Sequence, residues 1–240
     1  MFMGLAALAG LIRGYTGFGF AMILALGLLT RLPPALVIPV TLMLDLACSV
    51  GLWPGAWRRF DRALARPLLL GMLLALPLGS GLLAWLPGRW LAPLIALFCL
   101  AGGLLVLWRP AAVPARPPRP GAAWLAGLGS GLATSLASAG GPPLMLYLLR
   151  SGLAPAPMRA TAIVFFFASS ACALLMLLAF GVLGQAHLAL AASLLLPALA
   201  GSLAGQWLHR HWPPRSVRGV MGGLLVVLSV LTLYSSLVRF

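Results

Sequence analysis

Two charged side chains are embedded in apolar sequence, and each sits where it can do chemistry. Arg13 opens the stretch RGYTGFGF (13–20), and Asp45 lies near the middle of the apolar run Pro33–Trp53. A guanidinium in apolar surroundings either holds an anion, pairs with an acid or snorkels to an interface. A lone carboxylate there pairs with a cation or carries a proton. Arg13 and Asp45 can therefore form a stabilising pair, or Asp45 can take up a proton. Around Arg13 stand Gly14, Tyr15, Thr16, Gly17 and Gly19. The glycines let the backbone turn and approach a ligand, and the first amides of a helix that restarts after such a break bind anions. A second stretch, SLASAGGPP (135–143), repeats the pattern with Ser135, Ser138, Gly140, Gly141, Pro142 and Pro143. Its hydroxyls and free amides suit an anion, and its small residues equally suit close helix packing.

The elements that must position these groups are membrane helices. Of 240 residues, 62% are hydrophobic and only 8% charged, with mean hydropathy +1.08, where a soluble domain carries about 25% charged residues. Backbone groups in lipid must be satisfied within their own segment, so long apolar runs are helices. The runs 33–53, 67–86, 90–108, 160–182, 186–208 and 219–238 each reach the ~20 residues a span requires. The first half, 1–108, thus holds a broken segment (2–30) and three helices. A Pro/Arg linker follows (109–120, ending in RPPRP). The second half, 121–240, holds a broken segment (122–150) and helices over 160–182, 186–208 and 216–238.

The halves are repeats. At an offset of 121, Gly10 meets Gly131, Gly19 meets Gly140 and Leu32 meets Leu153; at 126, Gly79 meets Gly205 and Pro87 meets Pro213. The first broken segment reads as an arm over Phe2–Ile12, a non-helical break over Arg13–Gly17 and an arm over Phe18–Thr30; the second as Ala122–Thr134, a break over Ser135–Pro143 and Leu144–Leu149. At about 1.5 Å per residue the arms Phe2–Ile12 and Phe18–Thr30 reach about 16–20 Å, and none of the four arms spans the roughly 30 Å hydrocarbon core. Each broken segment is thus either a re-entrant hairpin or one kinked span. Arginine placement favours the hairpin. With three crossings per half, twelve arginines (58, 59, 62, 66, 109, 116, 119, 150, 159, 210, 215, 218) gather on one side and three (31, 89, 239) on the other, the positive-inside pattern. Kinked spans give seven against eight. The expected fold is an all-α polytopic membrane protein of two inverted repeats. Both termini are then outside, and the basic loops and linker are cytoplasmic.

Other chemistries are poorly supported. All sixteen basic residues are arginines lying almost wholly between apolar runs, unlike the exposed basic face that nucleic-acid binding requires. Cys48, Cys99 and Cys172 are scattered singly, which signals no metal site and no disulfide framework. There is no paired-carboxylate, nucleophile-elbow or phosphate-loop motif, and RGYTGFGF has no βαβ context. An enzyme is not expected, nor a cofactor or metal. His187, His209 and His211 are expected near interfaces, and Asp61 as a partner of the arginines around it.

RGYTGFGF and SAGGPPLMLYLL, each followed by a turn and three helices, together with the basic segment WRRFDRALARP (57–67), resemble the sulfite exporter TauE/SafE family over about residues 4–237. The resemblance implies secondary transport of a small anion, sulfite or an organosulfonate, across the bacterial inner membrane. It puts the binding motifs on Gly17, Gly19, Gly140, Gly141 and Pro142. The expected partners are that anion and the lipid bilayer, with self-association left open. A passive anion or small-solute channel and a non-transporting assembly subunit are the competing readings.

Overall fold

The computed structural model describes residues 2–85, 88–108 and 120–212, together with positions 226, 227, 230 and 234. The last expected helix (216–238) and nearly all of the linker lie outside the described residues. Every regular element among those residues is helical: α1 Phe2–Thr16, α2 Phe20–Leu29, α3 Pro34–Trp57, α4 Arg62–Trp85, α5 Gly88–Trp108, α6 Pro120–Ala137, α7 Gly141–Leu148, α8 Pro155–Ala179 and α9 Gln185–His211. Helices α3, α4, α8 and α9 are long and apolar enough to cross a membrane.

Local signals set the ends. Helices α3 and α8 begin on prolines, whose missing N–H costs nothing in a first turn. Helix α8 stops at Gly181, φ 69°, where the Val182 and Gly181 amides return to the Leu177 and Leu178 carbonyls, the hydrogen-bond pattern of a glycine C-cap. Helix α4 starts five residues before the apolar run that announced it. The cause is Asp61, which accepts the Leu64 amide at 2.9 Å and so caps the helix, so that it does more than offset neighbouring arginines.

Both broken segments double back. Leu5, near the start of α1, lies against Gly27, near the end of α2. In an unbroken helix those residues would be about 33 Å apart. Likewise the Ser130 hydroxyl donates to the Gly140 carbonyl, and Pro143 lies beside Gly129. Each segment is a helical hairpin, and a single kinked span is ruled out. The turns are shorter than expected, 17–19 and 138–140. Arg13, Gly14, Tyr15 and Thr16 belong to the last turn of α1, and Ser135 is helical in α6. Helix persists here because it satisfies backbone groups that an apolar environment leaves without water, and a cation in a last turn complements the helix dipole. At the first turn Gly17 and Gly19 have φ 88° and 91°, a region L side chains avoid. At the second, Ser138 takes the equivalent role at φ 52°.

The hairpins pack across the halves. Helix α1 lies on α9 and α6 lies on α4, in each case parallel, while α3 faces α8. The register is fixed by glycines. Gly10 and Gly14 meet Ala198 and Ser202, Gly201 and Gly205 meet Ala7 and Leu11, and Gly71, Gly127 and Gly131 do the same between α4 and α6. Helices α3 and α8 are antiparallel: Asp45 contacts Ser170, Trp53 packs on Phe167, and the Asp61 amide donates to Thr161.

Candidate functional site

The two hairpin turns and the middles of α3 and α8 enclose a narrow cavity of about 10 Å³. It is lined by Arg13, Gly19, Ala21, Met22, Asp45, Thr134, Ser138, Gly140, Gly141, Phe166 and Ser170. That is room for about one water. Arg13 and Asp45 are 1% and 2% exposed, and Arg13 Nη1 stands 2.9 Å from Asp45 Oδ1. The second guanidinium nitrogen, Nη2, donates to Ser49 Oγ, whose hydroxyl donates to the Asp45 carbonyl at 2.6 Å. Ser170 Oγ donates to Asp45 Oδ2 at 2.8 Å, and the guanidinium carbon lies 5.7 Å from the centre of the Phe166 ring. Burying two charges is repaid only when the pair is well aligned and its remaining atoms are bonded, and the serines supply those bonds. Two atoms are left over: Arg13 Nε is buried without a partner, and Asp45 Oδ1 meets Nη1 as an ion pair without an aligned hydrogen bond.

The offset of 121 carries through the site. It pairs Arg13 with Thr134, Gly19 with Gly140, Asp45 with Phe166 and Ser49 with Ser170; seven of these eight residues line the cavity, and the eighth, Ser49, bonds directly to Arg13 of the ion pair. Both charges come from the first half, and the second answers with a hydroxyl and a ring. The α2 side offers Gly19, Ala21 and Met22 to the cavity, where the first amides of a helix have no intrahelical acceptor. On the α7 side, Pro142 and Pro143 follow Gly141 directly, so two amides are missing and that turn contributes fewer donors than the first.

Of the residues expected at the site, Arg13, Asp45, Gly19, Ser138, Gly140 and Gly141 line the cavity. The others serve the turns and interfaces. Thr16 Oγ1 donates to the Ile12 carbonyl and accepts the Phe18 amide, holding the turn. Tyr15 stacks edge-on against His209, with centroids 6.1 Å apart. Gly17 lies under the Arg159 side chain. Ser135 Oγ returns to the Gly131 carbonyl where α6 meets Gly79 of α4. Pro142 is buried in the first turn of α7. Ser138 is held by Thr41, hydroxyl to hydroxyl at 2.8 Å. Ser49, Thr134, Phe166 and Ser170 were not foreseen. Their only sequence signal is the repeat offset, which places Ser170 on Ser49. His209 is less peripheral than expected, because its ring packs on the end of α1. Cys48, Cys99 and Cys172 are free thiols.

A family model described as "Sulfite exporter TauE/SafE" matches residues 2–232. The chain belongs to this family. It is a membrane transporter, and the hairpins, the pairing of halves and the buried Arg13–Asp45 centre describe how this member of the sulfite exporter family is built. No curated protein and no solved structure matches the chain.

Proposed function

We propose that this sulfite exporter family member is a secondary transporter of a small oxyanion, sulfite or an organosulfonate, across the bacterial inner membrane, with uptake or release of a proton at Asp45. The observation carrying this reading is the buried ion pair at the meeting point of two hairpin turns, with Arg13 Nε–H still unbonded. Substrate sites in transporters of inverted repeats lie where helices break near the midplane. The antiparallel course of α3 and α8, at equivalent repeat positions, supports inversion and hence both termini in the periplasm. Cysteines placed at residues 2 and 239 should then react with an impermeant reagent from the same side. Labelling from opposite sides sinks the inverted arrangement.

In the ion pair, Arg13 spends Nη1 on Asp45. A proton on Asp45 removes that claim, and the freed guanidinium with the α2 amides can hold an oxyanion in place of the carboxylate. Proton and anion therefore bind together, and loss of the proton expels the anion. The cavity is too small for a four-atom oxyanion, so the turns must part during the cycle. Reconstituted in proteoliposomes, the protein should give saturable sulfite flux driven by a pH gradient. Asp45→Asn should lose the pH-driven component while anion exchange stays within about threefold of wild type. Unchanged pH dependence in Asp45→Asn removes the carboxylate from coupling. Non-saturating flux far above carrier rates would favour a channel instead.

A further inference from the structure

We infer that Arg159, on the first turns of α8, is a second anion-binding guanidinium, which receives the oxyanion on the arginine-rich side of the first hairpin. This rests on the anion-transport reading above. Arg159 Nη2 donates to the Gly14 carbonyl at 2.7 Å, and its side-chain stem crosses Gly17 so closely that a Cβ there would stand 2.8 Å from Arg159 Cγ. The guanidinium thus lies on the tip of the same hairpin whose inner side forms the Arg13 cavity, near enough to feel the charge of Arg13.

Its bonding is incomplete. The whole chain has two acids. Asp45 is taken by Arg13 and Asp61 caps α4, so Arg159 is held by a neutral carbonyl and has no carboxylate. Its Nε is buried without a partner. A half-buried cation with no counter-ion and a spare donor is suited to an anion. At the offset of 121 its counterpart is Ile38, fully buried and apolar, so the repeat does not require a cation there. The approach is basic as well. Thr161, one half-turn further along α8, accepts the Asp61 amide, which holds the α3–α4 turn, with Arg58, Arg59 and Arg62 flanking Asp61 in sequence, against the first turns of α8. Arg13 is neutralised by its acid and Arg159 is not, so the net positive charge at the hairpin belongs to Arg159. An anion passing between the basic side and the cavity draws Arg159 off the Gly14 carbonyl, and its departure lets the contact close again.

A purely structural role, capping the carbonyl end of α1, is separated by Arg159→Gln. Glutamine can still donate to Gly14 but has no charge. In proteoliposomes, with sulfite as the transported anion, Arg159→Gln should raise KM about 10- to 100-fold, the range spanned by one charge-assisted hydrogen bond, while its melting temperature in detergent stays at the wild-type value. A KM within twofold of wild type in the folded variant overturns the inference and leaves the transport reading standing. If wild type itself moves no anion, both fall. Should Arg159→Gln fail to fold, Arg159→Lys carries the test. Lysine keeps the charge without the planar fork, so KM should rise several-fold, and an unchanged KM overturns the inference.

Discussion

Arg13→Ala is expected to abolish sulfite flux, by at least about 100-fold, and to destabilise the protein at the same time. The two effects have separable causes. Removing the guanidinium takes away the donors an oxyanion would use, including the Nε–H that has no partner in the structure. It also strands Asp45, 2% exposed, with only the Ser170 hydroxyl bonded to its carboxylate. Leaving one member of a buried pair uncompensated costs about 3–5 kcal/mol in general. Asp45→Asn added to Arg13→Ala removes the stranded charge. The double variant should regain most of the lost thermal stability and none of the flux. Recovery of both would mean that Arg13 serves only to neutralise Asp45, and the anion site would have to be elsewhere. Arg13→Lys should retain fold with much weaker transport, because one ammonium cannot reproduce a fork that spans Asp45 and Ser49 through different nitrogens.

The legibility of this site was uneven, for physical reasons. Hydropathy and the glycine-rich turns were sufficient for helices and hairpins, because lipid enforces helix wherever sequence is apolar. They overestimated the turns, extending the first to Arg13 and the second to Pro143, since glycine and proline were read as breakers. In the structure Gly14 is helical because its missing side chain admits the backbone of Ser202, and Pro142 is helical because it stands in a first turn. Arg13 and Asp45 were conspicuous as charges, and their mutual contact remained one of two options until Nη1 was seen at 2.9 Å from Oδ1. Ser49 and Ser170 were invisible on their own, since serine within an apolar helix is ordinary. Only the relation of one half to the other singles them out. Arg159 was counted among loop arginines, because nothing local reveals that α8 begins early enough to carry it onto the tip of the first hairpin.

Gly201→Val should be the most damaging substitution away from the charged centre. A Cβ at Gly201 would stand 2.0 Å from the Ala7 carbonyl oxygen, and one at Gly205 2.1 Å from the Leu11 carbonyl oxygen. In both cases the obstacle is backbone that no rotamer change can move. Helices without a hydrophobic drive between them associate through such close contacts, so valine forces α9 away from α1. Overpacking of this kind costs about 1–3 kcal/mol, and a backbone obstacle puts Gly201→Val at the upper end. The consequence extends to the site, because α1 carries Arg13 and ends at the first turn. Shifting α1 moves the guanidinium relative to Asp45 on α3, so flux should fall together with melting temperature. Gly81→Ala is the control: nothing lies within 4 Å of its added carbon, and replacing a mid-helix glycine stabilises by about 0.5–1 kcal/mol. Equal tolerance of valine at 201 and alanine at 81 would refute the parallel α1–α9 contact, and with it the placement of Arg13 by a helix from the other half of the chain.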